Sequence, residues 1–158
     1  MQSKDNVADN IASRYTELAD DPPQPYPTAK RALALIASWL VPGGGHFVLG
    51  KYGRGLLFLI TIAGAFLMGL ALHARLFYPI PTATPEVSSS PDYIGILWFF
   101  AQIGSGLCYL LSYATGTGTV PQPGAATFEY GNAFTFLAGL LNYLVMHDAF
   151  DIGAGRKK

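Results

Sequence analysis

Charge is scarce in this sequence: ten Lys and Arg and ten Asp and Glu make up 13% of 158 residues, where a soluble domain carries roughly a quarter. That shortage, beside 51% hydrophobic residues and a positive mean hydropathy, directs the chain to lipid and away from a soluble globular fold. The two signs cancel, so no basic excess exists to neutralise phosphates, and nucleic-acid binding by bulk electrostatics is excluded. Cysteine is nearly absent. Cys108 stands alone, which rules out an intrachain disulfide and a cysteine-rich metal site. No apolar leader opens the chain either, since residues 1–28 are polar and hold Asp5, Asp9, Glu17, Asp20 and Asp21; insertion is expected to begin with an internal span.

What is present is a series of apolar segments separated by turn chemistry. The polar tail comes first, residues 1–29, with Val7, Ile11, Tyr15 and Leu18 at helical spacing over 5–19, compatible with a short acidic helix or with disorder. Pro22, Pro23, Pro25 and Pro27 fix φ and remove backbone donors, which predicts an extended linker. The apolar segment 30–49 follows, interrupted by Pro42 and three glycines after only about ten apolar residues, where a span needs roughly twenty. It is either a tilted, broken span or a re-entrant hairpin. Segment 55–77 contains an uninterrupted apolar run of spanning length, closed by Arg75, Pro79 and Pro81. Segment 93–114 is read as another span, and 131–150 as the last, although that one is short unless His147, Asp148 and Asp151 lie inside its helix.

The expected fold is therefore an all-α integral membrane protein: a four-helix transmembrane bundle over 30–152 with a broken first helix, a polar N-terminal tail and a basic tail at 153–158. Cytoplasmic flanks collect Lys and Arg. With four spans, Lys51 and Arg54 fall on one side and the other eight basic residues on the opposite side, which places both termini in the cytoplasm at a bacterial inner membrane. A re-entrant first segment followed by three spans would translocate Arg156, Lys157 and Lys158, against the rule.

The strongest local signal is the run from Pro42, Gly43, Gly44, Gly45, His46 and Phe47 through Gly50, Lys51, Gly53 and Gly55, with six glycines in fourteen residues. Glycines at a membrane boundary allow a sharp turn and a close approach of backbone to another chain segment. The pattern Gly-x-His-Phe-x-Leu-Gly-Lys-x-Gly-x-Gly resembles the turn of the two-span transmembrane domain family, in which two helices are joined by a short loop; Val48 stands where members often carry Tyr. The ending from Asn142 to Asp151 resembles the acidic close of that domain's second helix, and the chain is closer still to bacterial four-span proteins of unknown function that share the Pro-Gly-Gly-Gly-His turn. The resemblance implies architecture and no established activity.

Few polar groups remain to carry chemistry. His46 suits a metal ligand or proton carrier, or else a cap for carbonyls freed by the Pro-Gly break, and the absence of companion ligands at local metal spacing favours the cap. His147, Asp148 and Asp151 share a helical face if the helix continues, as a proton or ion relay or as groups at the interface, the latter favoured by Arg156 just beyond. In the four-span topology His46 and His147 belong to opposite faces. Gln102 and Asn142 sit mid-span, where an amide commonly bonds a neighbouring helix, and Gly64, Gly69, Ala101, Ser105 and Gly106 suit close helix contact.

No catalytic constellation is present, so the expected role is non-enzymatic and cofactor-free: an accessory, assembly or structural component in the bilayer, packed against a membrane-protein partner or its own copies. The second reading is a transport or channel component that uses the broken first helix and the polar set Gln102, Asn142, His147, Asp148 and Asp151. An intramembrane metalloenzyme using His46, His147 and an acid ranks last, because of the opposite faces.

Overall fold

The computed structural model describes residues 6–7, 10–11, 24–78, 93–118 and 123–157. Residues 6, 7, 10 and 11 are helical and exposed, while the rest of the expected tail helix and the 79–92 connection lie outside the described residues. Beyond those turns the described residues form six helices and no strand: α1 (Thr28–Leu40), α2 (Gly44–Val48), α3 (Tyr52–Ala71), α4 (Tyr93–Ile103), α5 (Leu107–Thr115) and α6 (Phe128–Gly153). By length and composition α3 and α6 can cross a membrane; α4 and α5 join them only if that pair, bent by 114°, counts as one span.

α1 starts after Pro27, whose extended backbone (φ −51°, ψ 145°) delivers the chain to its first turn. It stops at Leu40 because Val41 is extended (φ −122°, ψ 120°) ahead of Pro42, which supplies no donor. Thirteen residues give α1 a length of about 20 Å, against a hydrocarbon core of about 30 Å. At Gly43 the backbone enters the left-handed region (φ 76°) and the chain doubles back. The Gly45 amide donates to Ser38 Oγ (3.0 Å), and Tyr26 Oη donates to the Leu49 carbonyl (3.4 Å), so α2 returns the chain to the end from which α1 set out.

α3 and α6 form the antiparallel axis of the molecule. Gly69 near the end of α3 lies against Gly131 and Thr135 at the start of α6, while Phe58 and Ile62 meet Leu141, Val145 and Asp148 at the other end. α3 closes with His73 in the left-handed region (φ 69°) and the Ala74 amide donating to the Gly69 carbonyl (3.0 Å), a Schellman-type stop. α6 runs 26 residues and takes in His147, Asp148 and Asp151, so the last apolar segment is long enough once its ionisable end is counted.

The segment 93–114, read from its length as one span, is two helices. α4 runs parallel to α6: Trp98 packs on Phe136, Tyr143 Oη donates to the Phe100 carbonyl (2.9 Å), and Gly104 reaches Gly139 and Tyr143. At Gly106 (φ 58°, ψ −116°) the chain turns, and α5 goes back the way α4 came. Tyr109 Oη donates to the Phe77 carbonyl (2.7 Å), and Gly118 receives the Leu76 amide (2.8 Å) beside Leu70 and Ala74, at the far end of α3. The second hairpin thus enters from the end opposite to the first. One apolar cluster, Ile62, Phe66, Leu76, Tyr109, Ala138 and Val145, binds it to the α3–α6 axis; another, Ala34, Leu49, Ala149 and Ile152, binds the first hairpin to α6.

Candidate functional site

The tips of the two hairpins meet at the middle of α6. Asn142, fully buried, donates through Nδ2 to the carbonyls of Ser38 (3.0 Å) and Gly104 (2.8 Å), with Trp39 at 3.4 Å. A helix end leaves carbonyls without partners; here one amide on a third helix caps both interrupted helices. Backbone closes the remaining space. A Cβ on Gly139 would overlap the Ala101 carbonyl oxygen, and one on Gly106 would overlap the Trp39 carbonyl oxygen. Gln102, also fully buried, secures the second hairpin in the same manner: Oε1 accepts from the Phe77 amide (2.9 Å), and Nε2 donates to the Arg75 carbonyl (2.9 Å) and Thr135 Oγ1 (2.9 Å). Asn142 and Gln102 thus both bond backbone of neighbouring segments. Ala101 and Gly69 lie in helix contacts, whereas Gly64 faces open space.

The second polar centre lies at the end of the molecule where the first hairpin begins. Within the glycine run, Gly43 lies against the Gly55 carbonyl, Gly44 against Ala37, and Gly45 against Ala34, Ser38 and Ala149, so α2 is pressed between α1 and α6. Pro42 is fully buried, the Phe47 ring touches Gly55 and lies 6.3 Å from the Tyr52 ring, and Lys51 caps α3 after its amide bonds the His46 carbonyl (2.7 Å). Gly50 (φ 79°) and Gly53 have nothing within reach of a Cβ; only the former needs glycine for its backbone.

This packing drives His46 inward until it is fully buried, with the Phe58 ring 5.0 Å away, centroid to centroid. Its Nε2 lies 3.1 Å from Asp148 Oδ2, and its Nδ1 has no hydrogen-bond partner. The other carboxylate oxygen accepts from Lys157 Nζ (2.9 Å), so a single acid joins the first hairpin, α6 and the C-terminal tail. That carboxylate holds the Lys157 ammonium above the ordinary lysine range, through the hydrogen bond first and its charge second. Asp151 pairs separately with Arg156 (3.2 Å), and His147 is exposed on α6.

The four-span topology had separated His46 from the 147–151 group. The structure brings His46 to Asp148, because the first segment turns back before reaching the opposite end. It does not bring His147 to the pair, and no group of three or more His, Cys, Asp or Glu fit to hold a metal occurs among the described residues. Sequence reasoning missed Ser38, Thr135 and Lys157. Ser38 and Thr135 carry no local signal, whereas a lysine nine residues beyond Asp148 becomes legible once α6 is continued to Gly153.

Beside Asp148 the seam between α3 and α6 opens into a groove of about 470 Å³, lined by Leu57, Phe58, Thr61, Ile62, Leu141, Leu144 and Val145. Among the described residues Asp148 is its only charged lining residue.

No curated protein and no solved structure matches the chain. A family model does match, over residues 33–158, which takes in the glycine run, both hairpin tips and the His46–Asp148–Lys157 centre. On that match the chain belongs to the Family of unknown function (DUF6677).

Proposed function

We propose that this protein is a non-catalytic component of the bacterial cytoplasmic membrane that packs against partner membrane proteins. The observation that supports this reading is the close packing of the interior. At the hairpin crossing Gly139 and Gly106 lie against carbonyl oxygens, and Asn142 Nδ2 is spent on the carbonyls of Ser38 and Gly104, so the two hairpin tips and α6 meet backbone to backbone. The outward faces of α3 and α6 are rich in exposed apolar side chains, among them Leu57, Ile60, Leu67, Leu137 and Leu144, suited to lipid or to a neighbouring helix. Purification in mild detergent followed by mass spectrometry is expected to recover a partner in stoichiometric amount. A monodisperse homo-oligomer without companions would remove the accessory role.

In place of four spans the reading takes two, α3 and α6, and two half-depth hairpins entering from opposite sides. Each unit is a hairpin followed by a span, and the two units run in opposite directions, as in inverted-topology repeats. The charge rule favours this arrangement. Residues 50–54 join both termini on the cytoplasmic side, and Arg75 becomes the only one of the ten Lys and Arg to face away. Single cysteines at Tyr52, Ser89, Thr117 and Lys158 in a Cys108→Ser background separate the topologies. Here Tyr52 labels with Lys158, and Ser89 with Thr117; four spans would separate the members of both pairs.

A second reading, a transport component, is favoured by one feature: paired glycine-interrupted segments at equivalent places in two inverted units are where transporters bind their cargo. Proton flux in proteoliposomes that falls in Asp148→Asn would establish it, and flux at the empty-vesicle level would eliminate it.

A further inference from the structure

We propose that the groove between α3 and α6 holds an ethanolamine phospholipid, with an acyl chain along the seam and the primary ammonium on Asp148 in place of Lys157. The inference rests on the membrane reading above and adds a ligand to it.

The groove's chemistry selects the occupant. Its wall is aliphatic and aromatic over about two helical turns, residues 57–62 of α3 and 141–148 of α6, or roughly 11 Å. That is too short for the side of a partner helix and wide open to lipid, since Leu57 is 62% and Leu144 65% exposed. The single charge at its end is a carboxylate five residues before the close of α6, at headgroup depth. In this structure an alkylammonium already sits on it, that of Lys157, whose side chain is 54% exposed. An exposed ion pair of this kind contributes little and exchanges readily. His46 stays on Oδ2, so the incoming ammonium takes Oδ1. Arg54 lies one turn before Leu57 on α3, at the same end of the groove, so it and the displaced Lys157 are the cations available to the lipid phosphate.

A primary ammonium has three N–H donors and a quaternary choline has none, which makes headgroup selectivity the signature of the site. Full-length protein stripped of lipid in mild detergent, given equimolar dioleoyl phosphatidylethanolamine, phosphatidylcholine and phosphatidylglycerol, is examined by native mass spectrometry. Ethanolamine lipid adducts are expected to exceed choline adducts about tenfold, the value of one charge-assisted hydrogen bond. Asp148→Asn equalises the two, and Leu144→Trp, which fills the groove from an exposed position, removes the adducts altogether. Leu137→Trp, exposed on α6 outside the groove, retains them. Equal binding of the two zwitterionic lipids, preference for phosphatidylglycerol, or adducts that survive Leu144→Trp would each overturn the assignment. Recovery of the chain from the soluble fraction without detergent would overturn the membrane reading as well, whereas a detergent-extracted chain that shows no ethanolamine preference overturns this inference alone.

Discussion

Gly139→Ala and Gly106→Ala are each expected to leave little monodisperse protein in detergent, although each adds a single methyl group. At Gly139 the new carbon would occupy the position of the Ala101 carbonyl oxygen, and at Gly106 that of the Trp39 carbonyl oxygen. Neither obstacle is the end of a flexible side chain. Relief requires α4 to move off α6, or the two hairpin tips to part, and either movement opens the bonds from Asn142. Gly106 carries an added penalty, because its backbone (φ 58°, ψ −116°) is one that residues with a Cβ rarely adopt. A loss of about 4 kcal/mol or more is expected for each, comparable with the whole stability of a small protein. Gly64→Ala is the control. Nothing lies within 4 Å of a Cβ there, so its unfolding midpoint in detergent should stay close to that of the parent, with at most about 1 kcal/mol gained from helix propensity. Size-exclusion profiles and thermal unfolding of the three variants decide the matter, and a monodisperse Gly139→Ala with a parental midpoint would refute the close crossing.

Asn142→Leu should be the next most damaging substitution. A leucine fills similar space but donates nothing, so the carbonyls of Ser38 and Gly104 lose their donor inside the protein, where water does not replace it. At about 1–3 kcal/mol for each of the two orphaned carbonyls the expected loss is roughly 2–6 kcal/mol. Polar contacts between membrane helices commonly give less, around 0.6 kcal/mol, because the separated helices find other partners. The present case differs: the acceptors are the carbonyls of Ser38, in the last turn of α1, and of Gly104, just past the end of α4, where no helical donor follows. Denaturation in mixed micelles provides the measurement. A loss no greater than that of Leu144→Ala, at an exposed position, would show that the two hairpins do not depend on this amide.

Much of this architecture was legible in the residues, and the rest was hidden for physical reasons. The run without formal charge after Arg54 announced α3, and Pro42 with its glycines announced a break in the first segment. Pro42 acts locally, by withholding a donor and restricting Val41, so one sequence reveals it. The break at 104–106 is different. Gly-Ser-Gly is ordinary inside a spanning helix, and the chain turns there because the Trp39 carbonyl comes against Gly106 from a segment far away in sequence. Under the charge rule, taking 93–114 as one span requires 30–49 to cross as well, which puts His46 and Asp148 on opposite faces; the structure brings those two residues together and bends the 93–115 pair by 114°, leaving two helices able to cross a membrane, or three if that pair counts as one. The two-hairpin topology proposed above satisfies the same charge rule, but only when both hairpins are taken together. Gln102 and Asn142 were recognisable as buried amides; that they cap interrupted helices was not, because their acceptors are backbone atoms that any residue could supply.

The capping of α1 also sets an order in time. The carbonyl of Ser38 receives its donor from a residue 104 positions later, in α6. Chains are made from the N-terminus at roughly 5–20 residues per second, so the first hairpin waits several seconds for α6. Until then its interrupted end has only water, lipid headgroups or another protein for company. A nascent chain of this design leaves α1 unfinished until α6 is made, and truncation after α5 should therefore loosen the first hairpin as well as remove α6.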